Sequence, residues 1–124
     1  METRLDEAAA SAKDVATGDV CCAVASRIAM TSEEATRTAS LLKVLGDPIR
    51  LRIVSLVAAA DSGEICACDL PALLERSQGT ISHHLKQLVE ARILEREQRG
   101  KWAWFRLNEP TLQAISEALL PVAR

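Results

Sequence analysis

Apolar positions recur at helical spacing along most of the chain, and short polar interruptions divide them into separate helices. The pattern sharpens at Thr31. With Glu34 three residues on, it makes a capping box, and Ala35, Leu41, Leu42 and Leu45 form a stripe that ends at Gly46. Asp47 and Pro48 open a second helix with Ile49, Ile53, Leu56 and Val57 on one face, stopped by Asp61-Ser62-Gly63. A short third helix over 69–75 carries Leu70, Leu73 and Leu74, with Pro71 tolerated in its first turn. Ser77 caps a fourth helix over 78–92, whose buried stripe is Ile81, Leu85, Leu88 and the aliphatic stem of Arg92. From Pro110 a last helix repeats Leu112, Ile115, Leu119 and Val122.

Between the fourth and last helices the pattern changes. Residues 93–98 and 102–107, joined by Arg99-Gly100-Lys101, read as a β-hairpin with a basic tip. The second arm holds Trp102, Trp104 and Phe105, the chain's only aromatic residues. A short helix, a tight polar turn, a second helix and a basic hairpin predict a winged helix-turn-helix, mainly α within the α+β class. The first and last helices are too apolar to stand in water alone. Leu41, Leu42 and Leu45 with Leu112, Ile115 and Leu119 therefore predict a homodimer surface. Residues 1–30 are rich in Ala, Ser, Thr and Asp without a sustained period, which predicts a flexible arm carrying Cys21 and Cys22 before a domain over 31–124.

At 124 residues, 48% apolar and 26% charged, the chain fits one globular domain, with no apolar run long enough to span a bilayer. The first twenty residues lack a basic start and an apolar run, so the expected location is the cytoplasm and no membrane partner is expected. The net charge of −2 hides a local excess. Residues 77–107 hold six bases, Lys86, Arg92, Arg96, Arg99, Lys101 and Arg106, against Glu90, Glu95 and Glu97. Rotating about 100° per residue from the buried stripe of the fourth helix turns Gly79, His83, Lys86 and Glu90 outward, flanked by Thr80, Ser82 and Gln87. Thr80, Ser82, His83 and Gln87 suit base edges, with Ser77 and Gln78 at the helix start, while Lys86, Arg99 and Lys101 suit phosphates. Two-fold symmetry then predicts double-stranded operator DNA with an inverted repeat.

The four cysteines sit as an adjacent pair, Cys21 and Cys22, and a near pair, Cys66 and Cys68. Without an export signal, reduced and ligand-forming thiols are expected rather than a disulfide framework. Cys21 and Arg27 match the spacing of an oxyanion-cradling catalytic loop, but no buried strand pattern precedes them, so no enzyme activity and no organic cofactor are expected. In a regular helix residues two apart point about 200° away from each other, so Cys66 and Cys68 converge only if their turn is irregular.

Several segments together resemble the ArsR/SmtB metalloregulatory repressors. They are Leu45-Gly46-Asp47-Pro48-Ile49-Arg50-Leu51-Arg52-Ile53, Cys66-Ala67-Cys68-Asp69-Leu70, Ser77-Gln78-Gly79-Thr80-Ile81-Ser82-His83-His84-Leu85-Lys86, and Gly100-Lys101-Trp102. One departure is Gly79, where the family commonly has proline. The resemblance implies a homodimer that represses its own operon until a metal or metalloid ion releases it. The family's zinc site on the last helix is not matched, since residues 110–124 hold no His or Asp and only Glu117. Both histidines, His83 and His84, fall on the fourth helix and suit DNA-facing and structural roles. The cysteine segment looks like the arsenic-responsive branch, in which a third cysteine follows after two intervening residues; that position here is Pro71. Because As(III) and Sb(III) favour three thiolates, Cys21 and/or Cys22 are expected to join Cys66 and/or Cys68, within or between subunits. The helix start beside them is expected to lower the thiol pKa. Cd(II), Pb(II) and thiol oxidation are the alternative signals.

Overall fold

The structure, a computed structural model, describes residues 23–120. Helix α1 (Ala23–Ile28) belongs to a unit separate from Ser32–Arg124 and is considered by itself. In the larger unit, α2 (Ser32–Leu45), α3 (Pro48–Ala59), β1 (Glu64–Cys66), a 3-10 turn (Ala67–Asp69), α4 (Leu70–Leu74), α5 (Gln78–Glu90), β2 (Leu94–Arg99), β3 (Trp102–Leu107) and α6 (Glu109–Leu119) follow in order. The three strands form an antiparallel sheet in the order β1-β3-β2. This is a winged helix-turn-helix, with α4 and α5 as the helix pair and β2-β3 as the wing.

Each local feature has a physical origin in the sequence. Asp47 holds an extended backbone and its Oδ1 accepts from the amides of Ile49 at 2.8 Å and Arg50 at 3.1 Å, so α3 starts where a cap and a proline coincide. Those amide bonds hold the Asp47 carboxyl below the ordinary aspartate range. The wing closes through Gly100-Lys101, with Arg99 opposite Trp102 and Gly100 at φ 61°, the sign that a primed hairpin turn requires.

The core gathers Ile53 and Val57 of α3, Leu70 and Leu74 of α4, Ile81, Leu85 and Leu88 of α5, and Ile93, Leu94 and Phe105 of the wing. Each such fully buried side chain contributes about 1.5–3 kcal/mol relative to exposure. Leu41, Val44 and Leu45 of α2 and Leu112 of α6 pack against this core only in part, while Leu42 and Leu119 are exposed and Ile115 is buried.

Some sequence expectations need correction. Strand β1 was not foreseen, because three residues are too few to show a period, and it exists only by pairing with β3. The third helix is split into a 3-10 turn and a five-residue α4, on which Leu70 and Leu74 are buried and Leu73 is 47% exposed. Helix α5 stops at Glu90; Arg92 takes φ 62° and its side chain is exposed, so Leu88 and Ile93 complete the stripe instead. Val122 lies outside the described residues.

Candidate nucleic-acid interface and thiol site

Helix α5 presents two unlike faces. Ile81, His84, Leu85 and Leu88 are buried, whereas Gln78, Gly79, Ser82, His83 and Lys86 are exposed, and Thr80 and Gln87 are half-buried. Ser77 caps the helix: its Oγ accepts from the Thr80 amide at 3.2 Å and donates to the Thr80 hydroxyl at 3.0 Å. Gln87 Nε2 and His83 Nε2 lie 3.2 Å apart on the outer face. A Cβ at Gly79 would meet open space, so the glycine is not demanded by packing.

The helix is fixed from behind by an interaction that the sequence did not announce. His84 Nδ1 sits 3.0 Å from Arg50 Nη1, and Arg50 Nε donates to the Val44 carbonyl, so α5 is bonded to α3 and, through the same arginine, to the end of α2. Arg50 is a donor only, so Nδ1 must accept and the ring carries its proton on Nε2. Burial lowers the pKa of His84, with the Asp47 charge opposing it. His84 is therefore a structural partner of Arg50, distinct from the outward His83.

Across from α5 stands the wing. A cavity of about 400 Å³ separates the two, with Leu85 and Phe105 on its floor and Ser82, Lys86, Gln98 and Lys101 on its walls. Cys68 opens onto the same space. Lys101 stands exposed at the turn, whereas Arg99, also expected at a phosphate, is engaged by carboxylates: Nη1 and Nη2 each lie 2.8 Å from a Glu64 oxygen, and Nη2 lies 2.8 Å from Glu97 Oε1. The signal that could have revealed this is the two-residue period of Glu95, Glu97 and Arg99, which puts all three on one side of β2.

The two described cysteines lie where β1 gives way to the 3-10 turn. Cys66 is 3% exposed and its Sγ accepts from the Cys68 amide at 3.4 Å; Cys68 is exposed, with its Sγ 3.9 Å from Asp69 Oδ1. The turn through Cys68 is thus a 3-10 turn rather than a regular α-helix, and the Cys66 sulfur caps it. The expected lowering of thiol pKa is not what the geometry gives. Cys68 is pushed up to about 11 by its hydrogen bond with Cys66, then by burial and by the Asp69 charge. Among the described residues no group of three His, Cys, Asp or Glu side chains is arranged to hold a metal ion. Cys21 and Cys22 lie outside the described residues. Among the described residues no helix is long and apolar enough to cross a membrane.

Comparison with known proteins gives a consistent picture. Residues 47–96, from the α3 cap through α5 into the wing, match the bacterial regulatory protein arsR family. The arsenical resistance operon repressor of Staphylococcus xylosus is 40% identical over 80 residues, which cover 64% of this chain and 74% of that one. Among solved structures, the AntR antimony-specific transcriptional repressor superposes with a TM-score of 0.59 at 32% identity, over 72% of this chain and 79% of its own. The homodimeric winged helix-turn-helix domain of Mb0332 from Mycobacterium bovis shares the fold, with a TM-score of 0.57 at 20% identity over 73% of this chain and 85% of that one.

Proposed function

The chain belongs to the ArsR family of bacterial transcriptional regulators, and on that premise we propose that it represses an arsenical-resistance operon and leaves its operator when As(III) or Sb(III) binds its thiols. The repressor is a cytoplasmic homodimer built on α2 and α6, reading an inverted repeat with Ser82, His83, Thr80 and Gln87 and holding phosphates with Lys86 and Lys101. The observation that carries the thiol reading is the pairing of Cys66 with Cys68 immediately before α4, with Cys68 opening onto the cleft between the reading helix and the wing. Two sulfurs leave a three-thiolate site incomplete. The third is assigned, on the sequence alone, to Cys21 or Cys22 of the arm over residues 1–30, which precedes the DNA-binding domain over 31–124.

The proton balance distinguishes a metalloid from a divalent cation. Arsenous acid carries three hydroxyls; each leaves as water with the proton of one thiol, three As–S bonds form, and no net proton is released. Cd(II) or Pb(II) must instead expel the thiol protons into solution, so their binding strengthens as the pH rises. The test is operator release followed by fluorescence anisotropy at pH 6.5 and pH 8, with arsenite and with Cd(II). Arsenite is expected to release the operator with a midpoint that moves less than about threefold between the two, whereas a cation displacing even one proton should shift by more than about tenfold. Release by Cd(II), Pb(II) or an oxidant, with none by arsenite or antimonite, contradicts the reading.

A further inference from the structure

The outer face of the sheet carries an arrangement that the function above does not use. Cys66, Trp104 and Glu97 lie opposite one another across β1, β3 and β2, and Glu64, Arg106 and Glu95 form the next row. Directly opposed residues share a face, so the buried cysteine, the indole and both rows of charges stand on the same side of the sheet. Arg99 starts from the last pair of the hairpin, opposite Trp102, one residue before the turn. Its guanidinium reaches back 5.0 Å from the centre of the Trp104 ring and grips the Glu64 carboxylate with two bonds of 2.8 Å. The base of the wing tip is therefore clasped to β1, the strand that ends in Cys66.

We propose that Arg99 is a positioning residue for the wing, and that its clasp on Glu64 is the link through which an ion held by Cys66 displaces the wing tip. This rests on the thiol reading above and adds the route by which that site reaches DNA.

The geometry supplies what such a link needs. Glu64 and Cys66 are two residues apart on one strand, about 6.6 Å, and point to the same side. An ion that draws Cys66 toward other thiols moves the end of β1, and the Glu64 carboxylate moves with it. Arg99 has a second partner ready: its Nη2 already bonds Glu97, which lies on its own strand. The guanidinium is thus held at once by β1 and by its own strand; if Glu64 is drawn away it stays on Glu97, and an ion favours that arrangement only if it binds it better. Gly100 and Lys101 follow directly, so the exposed cation at the tip shifts when Arg99 lets go. A guanidinium whose fork is occupied by carboxylates, beneath which Trp104 lies, is poorly placed to serve as a phosphate contact itself.

The test uses the full-length reduced protein and the variants Glu64→Gln and Arg99→Gln, both at solvent-facing side chains. Arsenite affinity is measured by calorimetry, and operator affinity by anisotropy with and without saturating arsenite. Each variant lacks the clasp, so it is expected to bind arsenite at least as tightly as wild type and to bind the operator without arsenite as weakly, within about threefold, as wild type does with it; the ratio of operator affinities without and with arsenite thus falls at least tenfold. A residue with only a structural role would lower thermal stability and leave that ratio alone. An unchanged ratio in both variants overturns the proposal. So does an Arg99→Gln variant that loses operator affinity, with a salt slope shallower by about one unit, while Glu64→Gln does not, because that marks Arg99 as a phosphate contact. Wild-type protein that binds the operator and ignores arsenite fails the inducer reading itself, in a separate arm of the experiment, and removes this link with it.

Discussion

Cys68→Ser is expected to bind the operator within about threefold of wild type and yet to remain bound at arsenite concentrations that strip the wild-type protein, shifting the release midpoint by at least about tenfold. The Cys68 side chain is exposed and outside the apolar core, so its replacement removes a thiol with little effect on packing. Cys66→Ser should behave alike in release but also lower thermal stability. Cys66 is 3% exposed, and a hydroxyl there, although able to accept from the Cys68 amide, trades a small apolar group for a polar one in a buried site. Operator affinity measured beside release separates the two roles, because a cysteine that only supports the fold loses both together. The double change of Cys21 and Cys22 to serine is expected to match Cys68→Ser. If that variant still releases at wild-type arsenite, the ligands are confined to the Cys66 and Cys68 turn.

The second large effect concerns DNA. Ser82→Ala and His83→Ala remove hydrogen-bonding groups from the exposed face of α5, so each is expected to reduce the ratio of operator to random-DNA affinity by about 1–3 kcal/mol, with random binding nearly unchanged. Lys86→Ala and Lys101→Ala are expected to weaken both kinds of binding equally and to lower the salt slope by about one unit each. Competition titrations at several salt concentrations distinguish the outcomes. A helix substitution that leaves the operator-to-random ratio unchanged would show that the base-reading face lies elsewhere.

How far the sequence carries such an account depends on the range of the interaction involved. The stripe of Ile81, Leu85 and Leu88, the Asp47-Pro48 start of α3 and the Gly100 turn are local signals, and each element appears within a few residues of its expected place. The exposed face of α5 follows from the same stripe by rotation. What was hidden is non-local. The pairing of β1 with β3 depends on residues about forty apart, and it decides that Cys66 ends a strand rather than opening a helix. The Arg50–His84 bond joins α3 to α5 across thirty-four positions, so nothing in either segment alone points to it. Arg99 is the instructive case. Its place at a basic tip predicts a phosphate contact, and what no local pattern shows is that the register sets it diagonally from Glu64, whose carboxylate it also grips. The thiol pKa was misjudged for a related reason, because a helix start favours thiolate while a second thiol at hydrogen-bond range and the Asp69 charge oppose it, and the closer groups win.

The central claim, that metalloid at the thiols and operator at α5 compete through one equilibrium, is tested most directly by reciprocity. Arsenite affinity is measured by calorimetry on the free dimer and on the dimer saturated with operator, and operator affinity with and without arsenite. If the coupling is about 3 kcal/mol, arsenite weakens operator binding by roughly two orders of magnitude, and the operator must weaken arsenite binding by the same factor. Equal arsenite affinity in the free and operator-bound protein would contradict the account.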